Sequence, residues 1–155
     1  MTPPYAQGTN VPLERSKAEL ERILIKYGAT RSISGWDQGQ IVIGFEMQRR
    51  QVKMSMPIPS KDDPAICMTP SGKYRRSDAQ VMGEWQAAIR QRWRALVLII
   101  KAKLEAVDAG VVTFEEEFLG QLVLPQAGGR TVSELIVPHL DNLPRALTAG
   151  RGDEQ

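Results

Sequence analysis

The sequence predicts an α+β domain, in which a three-stranded antiparallel sheet packs on one long helix and short helices follow. Three observations predict this fold class. A helical pattern runs from residue 77 to residue 110 without a proline. Two segments between residues 41 and 58 alternate apolar and polar side chains, as half-buried strands do. An earlier helical pattern precedes them, so the predicted order of the core is α-β-β-β-α.

Composition and local pattern divide the 155 residues into four parts. Residues 1–8, rich in proline and small polar groups, are predicted to form a flexible N-terminal arm. Residues 9–110 form the α+β core domain, and residues 111–147 form a C-terminal helical appendage. Residues 148–155 are predicted to be a disordered tail.

The first helix is predicted to begin at Thr9 or Asn10, either of which can cap it, and to end at Gly28. A weak first strand at 30–36 leads to a turn in which Gly39 supplies a positive φ. Two clear strands follow at 41–47 and 51–58. Because proline cannot donate to a ladder, Pro57 and Pro59 confine the last strand to an edge.

The long helix is predicted to begin at Ser77 and to end before Gly110, after a loop that spans residues 59–76. Its core-facing stripe consists of Met82, Trp85, Ile89, Trp93, Leu96, Ile100, Leu104 and Val107. A second side carries mostly small residues, namely Ala87, Gln91, Ala95, Leu98, Ala102 and Ala106. Small residues allow close approach, so we expect either the C-terminal helices or a second copy to cover this side, which makes a homo-oligomer possible.

The C-terminal part contains two capping-box patterns, which begin at Thr113 and at Thr131. The first predicts a short helix whose inward residues are Phe114, Phe118, Leu119 and Leu122. A turn or short hairpin is expected between Pro125 and Gly129. The second predicts a helix that is bent at Pro138 and continues through Leu140 and Leu143.

Catalytic and metal-binding patterns are weak throughout this chain. With one histidine, His139, and one cysteine, Cys67, it cannot supply a histidine-rich or thiolate metal site. The acidic run 115–117 is explained by its position in the first turn of a helix. We therefore predict neither a metal site nor a cofactor, and no catalytic residue is assigned.

Basic residues form the one constellation that favours a function. From Lys73 to Lys103 there are eight basic and two acidic residues, an excess that suits a polyanion. We expect a groove that tracks a phosphate backbone, formed on the sheet by Arg49, Arg50 and Lys53, in the loop by Lys73, Tyr74, Arg75 and Arg76, and on the helix by Arg90, Arg94 and Lys101. Trp36, at a hairpin end, is a further candidate for stacking on bases.

The N-terminus lacks the basic and apolar regions of a signal peptide, and the apolar run at 95–100 is too short to cross a bilayer. One cysteine suits a reducing compartment. We therefore expect a cytoplasmic protein without membrane contact.

Several segments resemble an uncharacterised family of phage and prophage proteins over about residues 5–137. The resemblance is carried by Tyr5–Pro12, Lys26–Ala29, Gly35–Trp36, Arg92–Leu96, Lys101–Ala106 and Thr113–Phe118. The family has no established activity, so the resemblance assigns no binding or catalytic residue. What it implies is a setting, the cytoplasm of a bacterium during phage growth.

Two functions follow as hypotheses. The first is a phage-encoded, non-enzymatic accessory protein that binds nucleic acid through its basic helix and loop. The alternative is a protein that binds and inhibits a host defence enzyme, with the acidic tail or the sheet edge as the contact. An enzyme with a site that the sequence does not reveal is a third, minor possibility.

Overall fold

The computed structural model of this chain describes residues 10–142, with side chains from residue 13 onward. The predicted arm at 1–8, the tail at 148–155 and Leu143 lie outside the described residues. Within residues 10–142, no helix is both long and apolar enough to span a membrane.

The observed order confirms the predicted α+β class. The helices are α1 (Asn10–Lys26), α2 (Pro64–Cys67), α3 (Asp78–Asp108), α4 (Phe114–Phe118) and α5 (Val132–Ile136). The strands are β1 (Arg31–Asp37), β2 (Gln40–Met47), β3 (Arg50–Pro57), β4 (Val123–Leu124) and β5 (Arg130–Thr131). Short 3-10 segments occupy Leu119–Gln121, Pro125–Ala127 and Val137–Asn142.

The main sheet is an antiparallel meander of order β1-β2-β3, and both of its turns contain two residues with positive φ. Positive φ at both positions defines a type I′ turn, which matches the twist of the flanking strands and sets the register. Asp37 therefore pairs with Gln40, and Met47 with Arg50. The inner face of β2 is fully buried, because Ile41, Ile43, Phe45 and Met47 all point to the helices.

Helix α3 follows its predicted boundaries closely. Ser77 caps it in a capping box with Gln80, and Gly110 follows it with φ of +72°. Six of the eight predicted stripe residues are buried, with Trp93, Ile89 and Ile100 at 0% exposure. Met82 and Val107 are only half-buried, and Val81 and Val97, which were not predicted, are buried instead. The buried residues of α3 join α1, β2 and β3 in one hydrophobic cluster.

The C-terminal part closes the edge of β3. Leu122 forms an isolated bridge with Val52 of β3, and β4 and β5 form the expected short hairpin beside it. Both capping boxes are present, and Phe114, Phe118 and Leu122 enter the same buried cluster as α3. The prediction for Leu119 was wrong, since its side chain is 54% exposed. Phe114, Phe118 and Leu122 are spaced by four and share the buried side, whereas Leu119 begins the 3-10 turn at 119–121 and points away from it.

The small-residue side of α3 stays uncovered by the described C-terminal helices. The 3-10 segment that follows α4 contacts β3, and α5 contacts that segment, so this part of the chain lies over the sheet edge. Ala87, Ala95 and Ala102 are exposed, as is Leu98. The C-terminal helices were one of the two expected covers for this side, and the described residues 111–142 do not cover it.

Candidate nucleic-acid interface

Helix α3 presents its basic residues on two different sides. Arg92 points to the sheet, where its Nη1 donates a hydrogen bond of 2.7 Å to the carbonyl oxygen of Pro57. Arg90 and Arg94 each lie two residues away, which at 100° per residue is about 160° around the helix. They therefore lie on the other flank of α3, where Arg94 is exposed and Arg90 is half-buried.

We call Arg90, Arg94 and Lys101 the cationic ridge. Among the described residues, neither Arg90 nor Arg94 has an ion-pair or hydrogen-bond partner through its side chain. Nζ of Lys101 lies 4.0 Å from Oε1 of Glu105, in a loose pair one turn further along. Arg94 and Lys101 are exposed and Arg90 is half-buried, so the ridge is a run of accessible and largely uncompensated positive charge.

The loop residues of the predicted groove collect at the start of α3. The backbone bridge between Met68 and Arg75 folds the loop back on itself. Arg76 is a structural residue there, because its Nη1 donates to the carbonyl oxygens of Ala65 (3.3 Å) and Ile66 (3.0 Å). The same guanidinium lies 3.7 Å from Oε2 of Glu84 on α3.

The remaining loop residues are open to solvent. Arg75 lies 3.9 Å from Asp62, and both side chains are well exposed. A pair of this kind contributes little to stability, so a phosphate group can compete for the arginine. Lys73 and Tyr74 are exposed, with Tyr74 at 71%.

Two of the three sheet residues of the predicted groove have partners in the C-terminal part. Nε of Arg50 lies 3.4 Å from Oε1 of Glu115, and Nζ of Lys53 lies 3.4 Å from Oε1 of Glu134. These pairs connect β3 to α4 and α5. Arg49 is exposed in the β2–β3 turn, with φ of +62°.

The ten residues form three patches and not one groove. Glu84, which holds Arg76, is six residues before Arg90 and therefore lies about 120° around the helix from it. Lys53 pairs in register with Gly44 and so points to the outer face of the sheet, away from α3. The loop patch and the Arg49–Arg50 patch lie near opposite ends of a helix of 31 residues, which is about 45 Å long.

Two of the three tryptophans are buried and one is exposed, as their positions in the sequence pattern predict. Trp93 is fully buried, and Trp85 is buried with its Nε1 donating to the carbonyl oxygen of Pro59 at 2.7 Å. Both are packing residues of the core. Trp36 on β1 is 49% exposed, so it is available for contact with a partner.

Titratable groups add no catalytic arrangement in the part of the chain that the structure describes. Hydrogen bonds from the N-cap threonines lower the pKa of Glu116 and of Glu134, which is the expected result of a capping box. His139 is exposed, and Cys67 is buried with its Sγ 3.5 Å from the carbonyl oxygen of Asp62. No group of three potential metal ligands occurs within residues 10–142.

The outer face of the sheet contains a groove that sequence reasoning missed. It has a volume of about 300 Å³ and lies between Ile33 of β1 and Val123 of β4, over Val42 and Gly44 of β2. A methyl group at Gly44 would lie only 3.2 Å from Cγ1 of Ile33, so a larger residue there would require Ile33 to shift by a few tenths of an ångström. The sequence signal was Gly44 itself, a glycine in the middle of a strand.

The chain was also compared with known protein families, curated proteins and solved structures, and none of these gave a significant match.

Proposed function

We propose that the chain is a non-enzymatic binding protein that holds nucleic acid along the cationic ridge of α3. One observation supports this proposal, namely that Arg90, half-buried, and Arg94, exposed, stand one turn apart on the same flank of the helix without a carboxylate partner among the described residues. The resemblance to phage and prophage proteins supplies the proposed setting, the cytoplasm of a bacterium in which a phage is growing.

The ridge has the chemistry of phosphate recognition without that of base recognition. A guanidinium group can donate two parallel hydrogen bonds to one phosphate, and each neutralised phosphate releases condensed counterions. Such contacts strengthen binding regardless of sequence and weaken it as salt rises. The proposed activity is therefore sequence-independent binding, with Lys101 extending the contact by two further turns of α3.

A matched pair of double variants tests the proposal. Arg90→Ala/Arg94→Ala removes the ridge arginines, and Lys73→Ala/Arg75→Ala removes the same charge from the loop patch. Arg76 is left intact because it supports α2. We expect the ridge variant to bind single- or double-stranded DNA or RNA at least tenfold more weakly in a low-salt gel shift, and the slope of log K against log salt to fall by about 2.

The control variant should retain most of the affinity and the original slope, and circular dichroism should show that both variants are folded. Equal losses in the two variants would show that net charge and not the ridge governs binding. An unaltered protein that binds none of the four nucleic acids at low salt would end the proposal.

A second candidate, protein binding, is favoured by the outer-sheet groove. Ile33 is 68% exposed beside a concave surface floored by Val42, and exposed apolar surface of this kind is typical of protein contacts. The alternative of a host-enzyme inhibitor expected the acidic tail or the sheet edge as the contact, and this groove on the outer face offers it another surface. Failure of the gel shift would make this groove the surface to test next.

A further inference from the structure

The two faces and the free edge of β1 are exposed together. All seven residues from Arg31 to Asp37 are exposed, whereas β2 alternates between buried and half-buried positions. No described residue pairs with the edge of β1 that faces away from β2. Natural edge strands are commonly protected by a central charge or a proline, and the interior of β1, Ser-Ile-Ser-Gly-Trp, contains neither.

Turn geometry determines which backbone groups lie on this open edge. In a two-residue type I′ hairpin the flanking residues, here Asp37 and Gln40, exchange backbone hydrogen bonds. Alternation then directs the backbone of Gly35, Ile33 and Arg31 to β2. The N–H and C=O groups of Ser32, Ser34 and Trp36 are consequently directed outward.

The strand is complementary to itself in antiparallel orientation. When Ser34 is placed opposite Ser34 of a second copy, all seven residues overlap and the outward-directed groups of Ser32 meet those of Trp36. This register also places Arg31 opposite Asp37 twice, once at each end. Opposite charges facing each other across strands are favourable.

The side chains on the outer face fit the same register. Ile33 of one copy is opposite Gly35 of the other, and no atom lies within 4 Å of the position that a Cβ at Gly35 would occupy. The exposed isoleucine therefore has open space to enter. On the inner face Trp36 is opposite Ser32, so the large side chain again meets a small one.

We propose that two copies of this chain associate through β1, with Ser34 on the twofold axis, to form one continuous six-stranded antiparallel sheet. We infer that a second copy occupies this edge, because β1 is complementary in charge and in side-chain size to an antiparallel copy of itself. The twofold axis is perpendicular to the sheet, so both α3 helices and both cationic ridges lie on the same face of the dimer. This association is independent of whether the ridge binds nucleic acid.

Cysteine cross-linking tests the register directly. In this dimer the two Ser34 Cα atoms are about 5.5 Å apart, within the range that a disulfide can bridge. Ser34→Cys should form a covalent dimer under mild oxidation. Ser32→Cys is the matched control, because the two Ser32 residues are four positions apart, about 13 Å, and should stay unlinked. The unaltered chain, whose only cysteine is the buried Cys67, should also stay unlinked.

Charge reversal provides the second test, read by light scattering. Asp37→Arg places arginine opposite arginine at both ends and should convert the dimer to a monomer. Among the described residues, the Asp37 side chain has no hydrogen-bond or ion-pair partner within its own copy, so we expect the change to leave the fold intact. Adding Arg31→Asp to the same chain should restore the dimer. A monomeric unaltered chain, or linkage of Ser32→Cys in place of Ser34→Cys, would overturn the proposal.

Discussion

The two edges of the main sheet differ in whether another segment of the chain covers them. The edge of β3 is closed, because Leu122 bridges Val52 and the C-terminal part crosses over it. Phe114, Phe118 and Leu122 anchor that part in the core, and two exposed ion pairs, Arg50 with Glu115 and Lys53 with Glu134, link it to β3. The edge of β1 has no such cover among the described residues, although it belongs to the same sheet.

The difference lies in which side chains each edge strand carries. Strand β3 carries buried Val52 between two long cations, Arg50 and Lys53, which reach acids on the C-terminal helices. Strand β1 has two serines and the exposed Trp36 on its inner face and leaves Ile33 exposed on the outer one. A sheet edge is closed when its own side chains can hold a covering segment, so β1 is left as the edge available to another molecule.

The largest expected effect lies beneath the closed edge, at Phe118. Its ring is fully buried, 5.7 Å from the ring of Phe45 in β2 and 4.9 Å from that of Phe114. Phe118→Ala removes both contacts and leaves a cavity, so we expect the free energy of unfolding to fall by about 3–5 kcal/mol. Urea denaturation measures it, with the exposed neighbour Leu119→Ala as control.

Leu119→Ala should change stability by no more than about 0.5 kcal/mol. If Phe118→Ala changed the free energy of unfolding as little, the C-terminal part would contribute nothing to the core. The segment over the edge of β3 would then not be held there by packing.

Periodicity and capping chemistry were sufficient for most of the fold. The stripe of α3, the inner face of β2 and three N-caps follow from residues no more than a few positions apart. The partners of Arg50 and Lys53 could not be predicted this way, because Glu115 and Glu134 are 65 and 81 positions distant. Likewise, nine basic residues and Tyr74 predicted one groove, yet their directions depend on how α3 is rotated against the sheet, which local patterns do not encode.

The two buried tryptophans of α3 differ in hydrogen bonding, and this difference tests how the segment after β3 is held. Both are buried on α3, but Nε1 of Trp85 donates to Pro59, whereas Nε1 of Trp93 has no hydrogen-bond partner among the described residues. Replacing each by phenylalanine removes a similar volume, so the difference reports the hydrogen bond. We expect Trp85→Phe to be more destabilising than Trp93→Phe by about 1–3 kcal/mol, since it orphans the Pro59 carbonyl. Equal urea midpoints would show that the hydrogen bond does not hold this strand end.

The smallest expected change in stability concerns Glu134 of α5, which pairs with Lys53 of β3. The backbone N–H of Thr131, 2.7 Å from Oε2 of Glu134, is the main reason that the pKa of Glu134 lies below its ordinary value of 4.5, and the positive charge of Lys53 adds to it. A lowered pKa in the folded state means that the carboxylate stabilises the fold above pH 4.5 and that this contribution is lost as pH falls through the folded-state pKa. We therefore expect the unaltered protein to be more stable than Glu134→Gln by less than about 1 kcal/mol at neutral pH, because the ion pair is exposed.

This difference in the free energy of unfolding should shrink below pH 4.5 in urea titrations. Salt at 1 M should remove the part due to Lys53 and leave the part due to the capping hydrogen bond. A difference that widened as pH fell would mean that Glu134 is not held as a carboxylate at the closed edge.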